Sequence, residues 1–205
     1  QNSKIAFEFR GKHYSATRHK GQFSLSRLII KDSDSIFDVL SNNGFNRFVN
    51  GKRIMLADAM VSKYSASVNS VHYFSVLPYG LDHKAVKKTY LGKTKIKATN
   101  YHKIKITFSE DGGGEDFEDV FIYWIHTETF KVDYLAYSYA ENHGAGLRFR
   151  EAYNERFIEG IRFVDYNNYK PKDATAVLEN LDAKFEHDDL ELLSKIELEH
   201  ILVSM

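Results

Sequence analysis

Residues 117–139 constrain the fold more than any other part of this 205-residue chain. Residues 120–125 form an unbroken apolar run, and a second β-rich run follows the polar segment 126–129. Two such runs joined by a short polar segment predict an antiparallel hairpin. The first run is apolar at both odd and even positions, which predicts a strand in the middle of a sheet with both of its faces covered.

The same alternation of apolar and polar residues predicts strands along most of the chain. They are expected at residues 4–10, 13–19, 22–30, 36–40, 45–49, 53–56, 93–97, 101–108, 147–157, 161–166 and 190–203. Asn50-Gly51 predicts a type I′ turn, because both central residues of that turn need positive φ.

Helical structure is expected in three segments. Val61, Tyr64, Val68 and Val71 predict an amphipathic helix over 58–74, which ends before Pro78. A short helix is expected within 173–187 and one or two helical turns within 81–87.

This order of elements predicts a mainly β (α+β) fold. Strands that pair in hairpins, without strand–helix–strand units, indicate antiparallel pairing. We therefore expect one curved antiparallel sheet that forms an incomplete barrel around the main helix, taken here as 58–76. With 43% hydrophobic residues, 2 prolines and no linker-like segment, residues 1–205 are expected to form a single domain.

Composition excludes several functional classes. The chain has 28 basic and 28 acidic residues, so it lacks the uniform basic field of a nucleic-acid-binding protein. It has no cysteine, which excludes disulfides, thiolate metal sites and thiol catalysis. No apolar run approaches the roughly 20 residues of a membrane-spanning helix.

Four phrases carry a family resemblance: FEFRGKHYSATR, NSVHYFSVLPYGL, GGGEDFEDVFIYWI and LRFREAYNERFIEGIRFVDYNNYKPKD. Together they resemble an uncharacterised family of Bacteroidota envelope proteins, many of which are predicted lipoproteins. The resemblance implies a periplasmic or outer-membrane lipoprotein. In that family a signal segment and a short helix usually precede the region that begins here at Gln1, so membrane anchoring ahead of Gln1 is expected.

The order of strands and helices also resembles the LolA/LppX-like lipoprotein-carrier fold. That fold implies an incomplete antiparallel barrel with an apolar cavity for acyl chains. The central strands of this chain carry many tyrosines and arginines, which departs from a purely apolar tunnel. The expected ligand is therefore a lipid or another hydrophobic or amphiphilic small molecule with an anionic head.

Arg148 and Arg150 are the centre of the expected ligand site. Alternation places them on one face of a strand, opposite Phe149 and Glu151. Guanidinium groups bind carboxylate or phosphate in a bidentate manner. The full expected set is Tyr14, Arg27, Tyr123, Trp124, Tyr134, Tyr137, Arg148, Arg150 and Tyr153.

Each part of this set has a structural alternative. The aromatic side chains are also what a hydrophobic core contains. The arginines are also what a sheet pairs with its own carboxylates, here Asp133, Glu151 or Asp165.

Two further groups of residues suggest metal ligands. The acidic, glycine-rich segment 110–119 offers oxygen ligands for Ca²⁺, or is a solvated hairpin connection. His126 and His143 lie near Glu128 and Glu141, as in some zinc sites, but at spacings that also fit surface loops.

No spacing predicts a catalytic group, and no cofactor or resident metal is expected. The leading hypothesis is a non-enzymatic, amphiphile-binding envelope protein. The alternatives are an enzyme that acts on a small anionic substrate in the same cavity, and an interaction module with a filled core.

Overall fold

The computed structural model describes residues 2–111, 118–141 and 144–205. Fourteen strands and two α-helices lie in these ranges, and the strands pair in antiparallel fashion. The mainly β class with antiparallel pairing is confirmed. The strands form two seven-stranded sheets, where the sequence predicted one curved sheet.

The first sheet uses the beginning and the end of the chain. Its strands are β1 (Asn2–Phe9), β2 (Lys12–His19), β3 (Gln22–Lys31), β4 (Asp34–Ser41), β5 (Gly44–Val49), β6 (Lys52–Ile54) and β14 (Glu199–Ser204). Their order across the sheet is β14-β1-β2-β3-β4-β5-β6. Asn50 and Gly51 have φ of 50° and 76°, which confirms the predicted type I′ turn between β5 and β6.

The second sheet uses the middle of the chain. Its strands are β7 (Val86–Ile96), β8 (Thr99–Phe108), β9 (Val120–His126), β10 (Val132–Glu141), β11 (Gly144–Ile158), β12 (Ile161–Pro171) and β13 (Leu190–Ile196). The order β13-β12-β11-β10-β9-β8-β7 places β9 inside the sheet. Residues 121–124 of β9 are all buried, which confirms a strand covered on both faces.

Two helices complete the described structure. The long helix α1 (Asp58–Ser75) confirms the predicted amphipathic helix. The short helix α2 (Leu181–Glu186) follows a 3₁₀ turn at Leu178–Asn180, so helical structure covers only part of the predicted range 173–187. Residues 81–87 form turns followed by the start of β7, and the helical turns expected there are not found.

The chain forms two compact units. The first comprises Gln1–Leu77, Glu155–Val164 and Glu197–Met205, and the second comprises Pro78–Asn154 and Asp165–Ile196. Strands β11 and β12 therefore contribute residues to both units.

Each unit has its own hydrophobic core. In the first, Val68 of α1 packs with Ala16 and Leu25, and a neighbouring cluster contains Phe7 and Phe163. In the second, one core cluster of aromatic and aliphatic side chains lies beneath the 3₁₀ turn and α2. It contains Ile96, Tyr101, Ile122, Trp124, Tyr134, Ala136, Phe149, Leu178, Leu181 and Leu190.

The predicted final strand, 190–203, is two strands in two different sheets. β13 pairs with β12, whereas β14 pairs with β1. The alternation of apolar and polar residues is interrupted between β13 and β14. There, Leu198 is buried in the first unit and His200 has a φ of 49°. Within the described residues, no helix is both long and apolar enough to cross a membrane.

Candidate functional site

The structure places Tyr14 and Arg27 in the first unit and the other seven predicted site residues in the second. Within the second unit, alternation along β9 sends the neighbouring residues Tyr123 and Trp124 to opposite faces of the sheet. The predicted residues of that unit therefore divide between its two faces.

Trp124 and Tyr134 lie on the face that α2 covers. Trp124 Nε1 donates a hydrogen bond of 3.1 Å to Asp182 Oδ2. The ring centroid of Tyr134 lies 5.8 Å from that of Phe149 and 5.7 Å from that of Phe185. The main reason why the pKa of the Tyr134 hydroxyl is raised is its burial. These two aromatic side chains belong to the packed core of the second unit.

The opposite face carries Arg150 among tyrosines. Arg150 Nη2 donates to the Tyr137 hydroxyl at 2.9 Å, and Nε donates to Asn168 Oδ1 at 3.4 Å. Its guanidinium carbon lies 5.0 Å from the ring centroid of Tyr137 and 6.0 Å from that of Tyr166. Both distances are in the range of cation–π contacts.

Arg148 and Tyr123 extend the same face. The strand register pairs Tyr137 with Arg148 and Leu135 with both Arg150 and Tyr123, and cross-strand partners share a face. The guanidinium carbon of Arg148 lies 5.2 Å from the ring centroid of Tyr139. We call this set, Tyr123, Tyr137, Tyr139, Arg148, Arg150 and Tyr166, the arginine–tyrosine face.

Burial determines the chemistry of Arg150. The residue is 8% exposed, and desolvation lowers the pKa of its guanidinium below the ordinary value. Tyr137, Tyr166 and Tyr123 oppose this effect. The charged form is thus held in a site where a nearby negative charge would be favourable.

Two other residues that the sequence placed at or beside the ligand site, Tyr153 and Glu151, contact side chains outside the arginine–tyrosine face. Tyr153 contacts Lys195, whose Nζ lies 5.7 Å from the ring centroid. Glu151, one of the carboxylates expected beside the arginines, accepts from Lys97 Nζ at 2.5 Å and from the Tyr169 hydroxyl at 3.2 Å.

In the first unit, Arg27 belongs to a buried ionic cluster. Arg27 Nη2 lies 2.7 Å from Asp38 Oδ2, and Arg47 Nε lies 2.7 Å from Asp38 Oδ1. We call Arg27, Asp38 and Arg47 the arginine triad. Tyr14 lies beside it: burial raises the pKa of its hydroxyl, and the Arg27 charge acts in the opposite direction.

Asp38 and Arg47 were not among the predicted site residues, although the sequence contained a signal for them. A two-residue turn at Asn42-Asn43 sets the register of β4 and β5 and brings Asp38 opposite Arg47. The turn before Asp34 sets the register of β3 and β4 and brings Asp38 opposite Arg27. Turn length fixes hairpin register, so both pairings follow once the turns are located.

The expected metal sites are only partly within the described ranges. Residues 112–117 of the acidic loop, and His143, lie outside them. His126 Nδ1 accepts from the backbone N–H groups of Glu128 and Thr129, at 3.1 and 3.3 Å, and so supports a turn. Among the residues that the structure describes, no three His, Asp or Glu side chains are grouped as metal ligands would be.

Comparison with solved structures finds 12 similar chains, of which two are described. One is a DUF1329 family protein from Desulfovibrio piger, with 13% sequence identity and a TM-score of 0.41, covering 93% of this chain and 90% of that one. The other is described as an outer membrane lipoprotein-sorting protein domain from Vibrio parahaemolyticus, with 10% identity and a TM-score of 0.46, covering 91% and 90%.

Sequence comparison identifies the family. Among curated proteins, no match to this chain is found. A family of unknown function, DUF6503, matches residues 1–198. Because that match covers nearly the whole sequence, the chain belongs to the DUF6503 family.

Proposed function

We propose that this protein is a non-enzymatic cell-envelope protein that binds a lipid or another amphiphile with an anionic head group. The arginine–tyrosine face of the second unit would hold the ligand. The observation that carries the proposal is the Arg150 guanidinium, which is buried against tyrosine rings and bonded to the Tyr137 hydroxyl.

Burying a cation has a free-energy cost that an anionic ligand would reduce. Burial disfavours the charged form of Arg150 and so lowers its pKa, although the neighbouring tyrosines oppose this effect. A carboxylate or phosphate that approaches the face would add an attractive interaction between charges in a site of low dielectric constant.

The tyrosines would contact the apolar part of an amphiphile. Phe121 stacks with Tyr137 at a centroid distance of 5.5 Å and with Tyr123 at 6.1 Å. Aromatic rings that end in hydroxyls bury apolar ligand atoms and still offer hydrogen bonds. The half-buried Arg148 adds a second guanidinium on the same face.

The location proposed for this role is the cell envelope. The resemblance of the four sequence phrases to envelope proteins supports it. Fractionation of native cells, with an antibody against the protein, tests this part: signal confined to the cytosol would contradict it.

Mass spectrometry of the purified protein tests ligand binding. We expect native spectra to show an added mass, and a chloroform–methanol extract to contain an amphiphile. Replacing both Arg148 and Arg150 by Met should remove most of that amphiphile with little change in melting temperature. The matched control is Arg53→Met, which removes an exposed arginine of β6.

The possible outcomes separate the hypotheses. An added mass that is a small, fully water-soluble anion favours the enzyme alternative. Absence of any bound molecule, or equal amphiphile in the double variant and the control, contradicts the proposal. If the double variant fails to fold, Arg150→Lys is compared instead, because it keeps the charge but loses the bidentate geometry; an undiminished amphiphile yield in that variant also contradicts the proposal.

A further inference from the structure

The arginine triad of the first unit contains more positive than negative charge. Two guanidinium groups share the single carboxylate of Asp38. Asp38 is 0% exposed, whereas the Arg27 and Arg47 side chains are 6% and 12% exposed. Because arginine stays protonated at any physiological pH, the triad carries a formal charge of about +1.

The hydrogen bonds to Asp38 use only part of the available donors. Arg27 directs Nε and Nη2 to Asp38 Oδ2, at 3.2 and 2.7 Å. Arg47 directs Nε to Oδ1 at 2.7 Å and Nη2 to Oδ2 at 2.9 Å. Four donors fill the acceptor positions of one carboxylate, so the Nη1 groups of both arginines lie outside this pairing.

Ser67 marks the side on which the triad meets solvent. Arg27 Nη1 donates to Ser67 Oγ at 2.8 Å, and Ser67 is exposed on α1. Since Ser67 Oγ accepts this bond, its own hydrogen can be donated to another group.

Tyr64 fixes the orientation of Arg47. The guanidinium carbon of Arg47 lies 3.4 Å from the ring centroid of Tyr64, a stacked contact. Hydrogen bonding to Asp38 raises the pKa of Arg47, with a smaller contribution from Tyr64. The guanidinium is therefore charged and held in one plane before any ligand arrives, which is favourable for oxyanion recognition.

We propose that Arg47 and Ser67, at the exposed edge of the arginine triad, bind a small oxyanion group, a phosphate or a carboxylate. An anion there would balance the excess charge and accept from Arg47 Nη1 and the Ser67 hydroxyl. This site lies in the first unit and uses none of the residues of the arginine–tyrosine face, so either can exist without the other.

Thermal unfolding in phosphate tests the site. Sodium phosphate is compared with sodium chloride at equal ionic strength. Above the dissociation constant, each tenfold rise in phosphate should raise the melting temperature by about 3–5 °C. The Arg148→Met/Arg150→Met variant should keep this response, which separates this test from that of the proposed function.

Ser67→Asp places a carboxylate where the oxyanion is expected. We expect a higher melting temperature without phosphate and no further rise with it. The matched control is Asn69→Asp, an exposed position on the same helix, which should respond to phosphate as the native chain does. Ser67→Ala should weaken the phosphate response without removing it.

Free ions and lipid head groups both present such oxyanions, so a second arm uses vesicles of phosphatidylglycerol. Sedimentation with vesicles that Ser67→Asp abolishes would identify a lipid head group, and a response to dissolved phosphate alone would identify a free ion. If Ser67→Asp lowers the melting temperature, or responds to phosphate like the native chain, the triad serves only folding and the proposal is overturned.

Discussion

At the scale of single residues, His72 shows how the interface between α1 and the first sheet controls protonation. Its ring lies edge-on to Phe7 and Tyr14, at centroid distances of 5.8 and 5.6 Å. Nε2 lies 3.0 Å from the Ser26 carbonyl oxygen, and within the described ranges Nδ1 is buried without a hydrogen-bond partner. Desolvation lowers the pKa of His72 to about 4. The ring is thus neutral near pH 7, and Nε2–H donates to Ser26.

This burial predicts a specific loss of stability in acid. The unfolded chain, with a histidine pKa of about 6.5, takes up the proton before the folded chain does. The free energy of unfolding should therefore fall as pH falls from about 6.5 to about 4, by about 3 kcal/mol in total. Urea unfolding at a series of pH values measures this loss.

His72→Phe provides the comparison, since it keeps an aromatic ring and removes the titrating group. It should flatten the pH dependence between about 6.5 and 4, although it loses the bond to Ser26. His187→Phe, at an exposed position directly after α2, should keep the native pH dependence. An unchanged slope in His72→Phe would show that other groups cause the acid sensitivity.

At the scale of elements, two acidic residues attach α2 to its surroundings in different ways. Asp182 is buried and accepts from Trp124 Nε1 at 3.1 Å, Thr94 Oγ1 at 3.2 Å and Lys103 Nζ at 3.0 Å. Asp173 is exposed and pairs with Lys184 at 2.6 Å. The Asp182 carboxylate therefore accepts from one buried donor and two partly buried donors, and the Asp173 carboxylate forms a surface ion pair.

Removing these two carboxylates should have unequal effects. Asp182→Ala leaves the Trp124 N–H without its partner and removes the carboxylate from the Lys103 ammonium, which keeps its bond to the Glu179 carbonyl oxygen. It should lower the free energy of unfolding by about 3 kcal/mol. Asp173→Ala should change it little, because solvent screens exposed pairs. Hydrogen exchange at residues 181–186, together with urea unfolding, measures both. Equal effects of the two variants would show that the donors to Asp182 find other partners.

Local sequence rules predicted most elements of this fold. The positive φ of Asn50 and Gly51 follows from the needs of a type I′ turn, and α1 follows from its apolar spacing. The division of the last predicted strand was not predictable in this way. The partner of β14 is β1, at the other end of the chain, and alternation shows which face is buried but not which strand is the neighbour.

The same limit explains what was predicted of the candidate site. Alternation correctly put Arg148 and Arg150 on one face, because that depends only on position along β11. Grouping Arg27 with them required knowledge of sheet membership, and the structure instead pairs Arg27 with Asp38. Tyr123 and Trp124 are both fully buried, and their sequence alone does not show which of them lies on the face that α2 covers.

At the scale of the whole molecule, the chain passes repeatedly between its two units. Neither unit is a continuous piece of sequence, since the first consists of three segments and the second of two. Phe163, in the second segment of the first unit, is buried in the same cluster as Ile5 and Phe7. The expectation that residues 1–205 fold as one cooperative domain stays a prediction from the sequence.

The single tryptophan makes this prediction testable, because Trp124 belongs to the second unit and Phe163 to the first. Phe163 is 0% exposed, so Phe163→Ala should cost about 3–5 kcal/mol and lower the melting temperature by about 10 °C. If the chain is one cooperative domain, Trp124 fluorescence and far-ultraviolet circular dichroism should shift together. The matched control is Phe157→Ala, 58% exposed on the same pair of strands, which should leave both midpoints near the native values. A fluorescence midpoint that stays at the native value while the dichroism becomes biphasic would establish two domains that unfold independently.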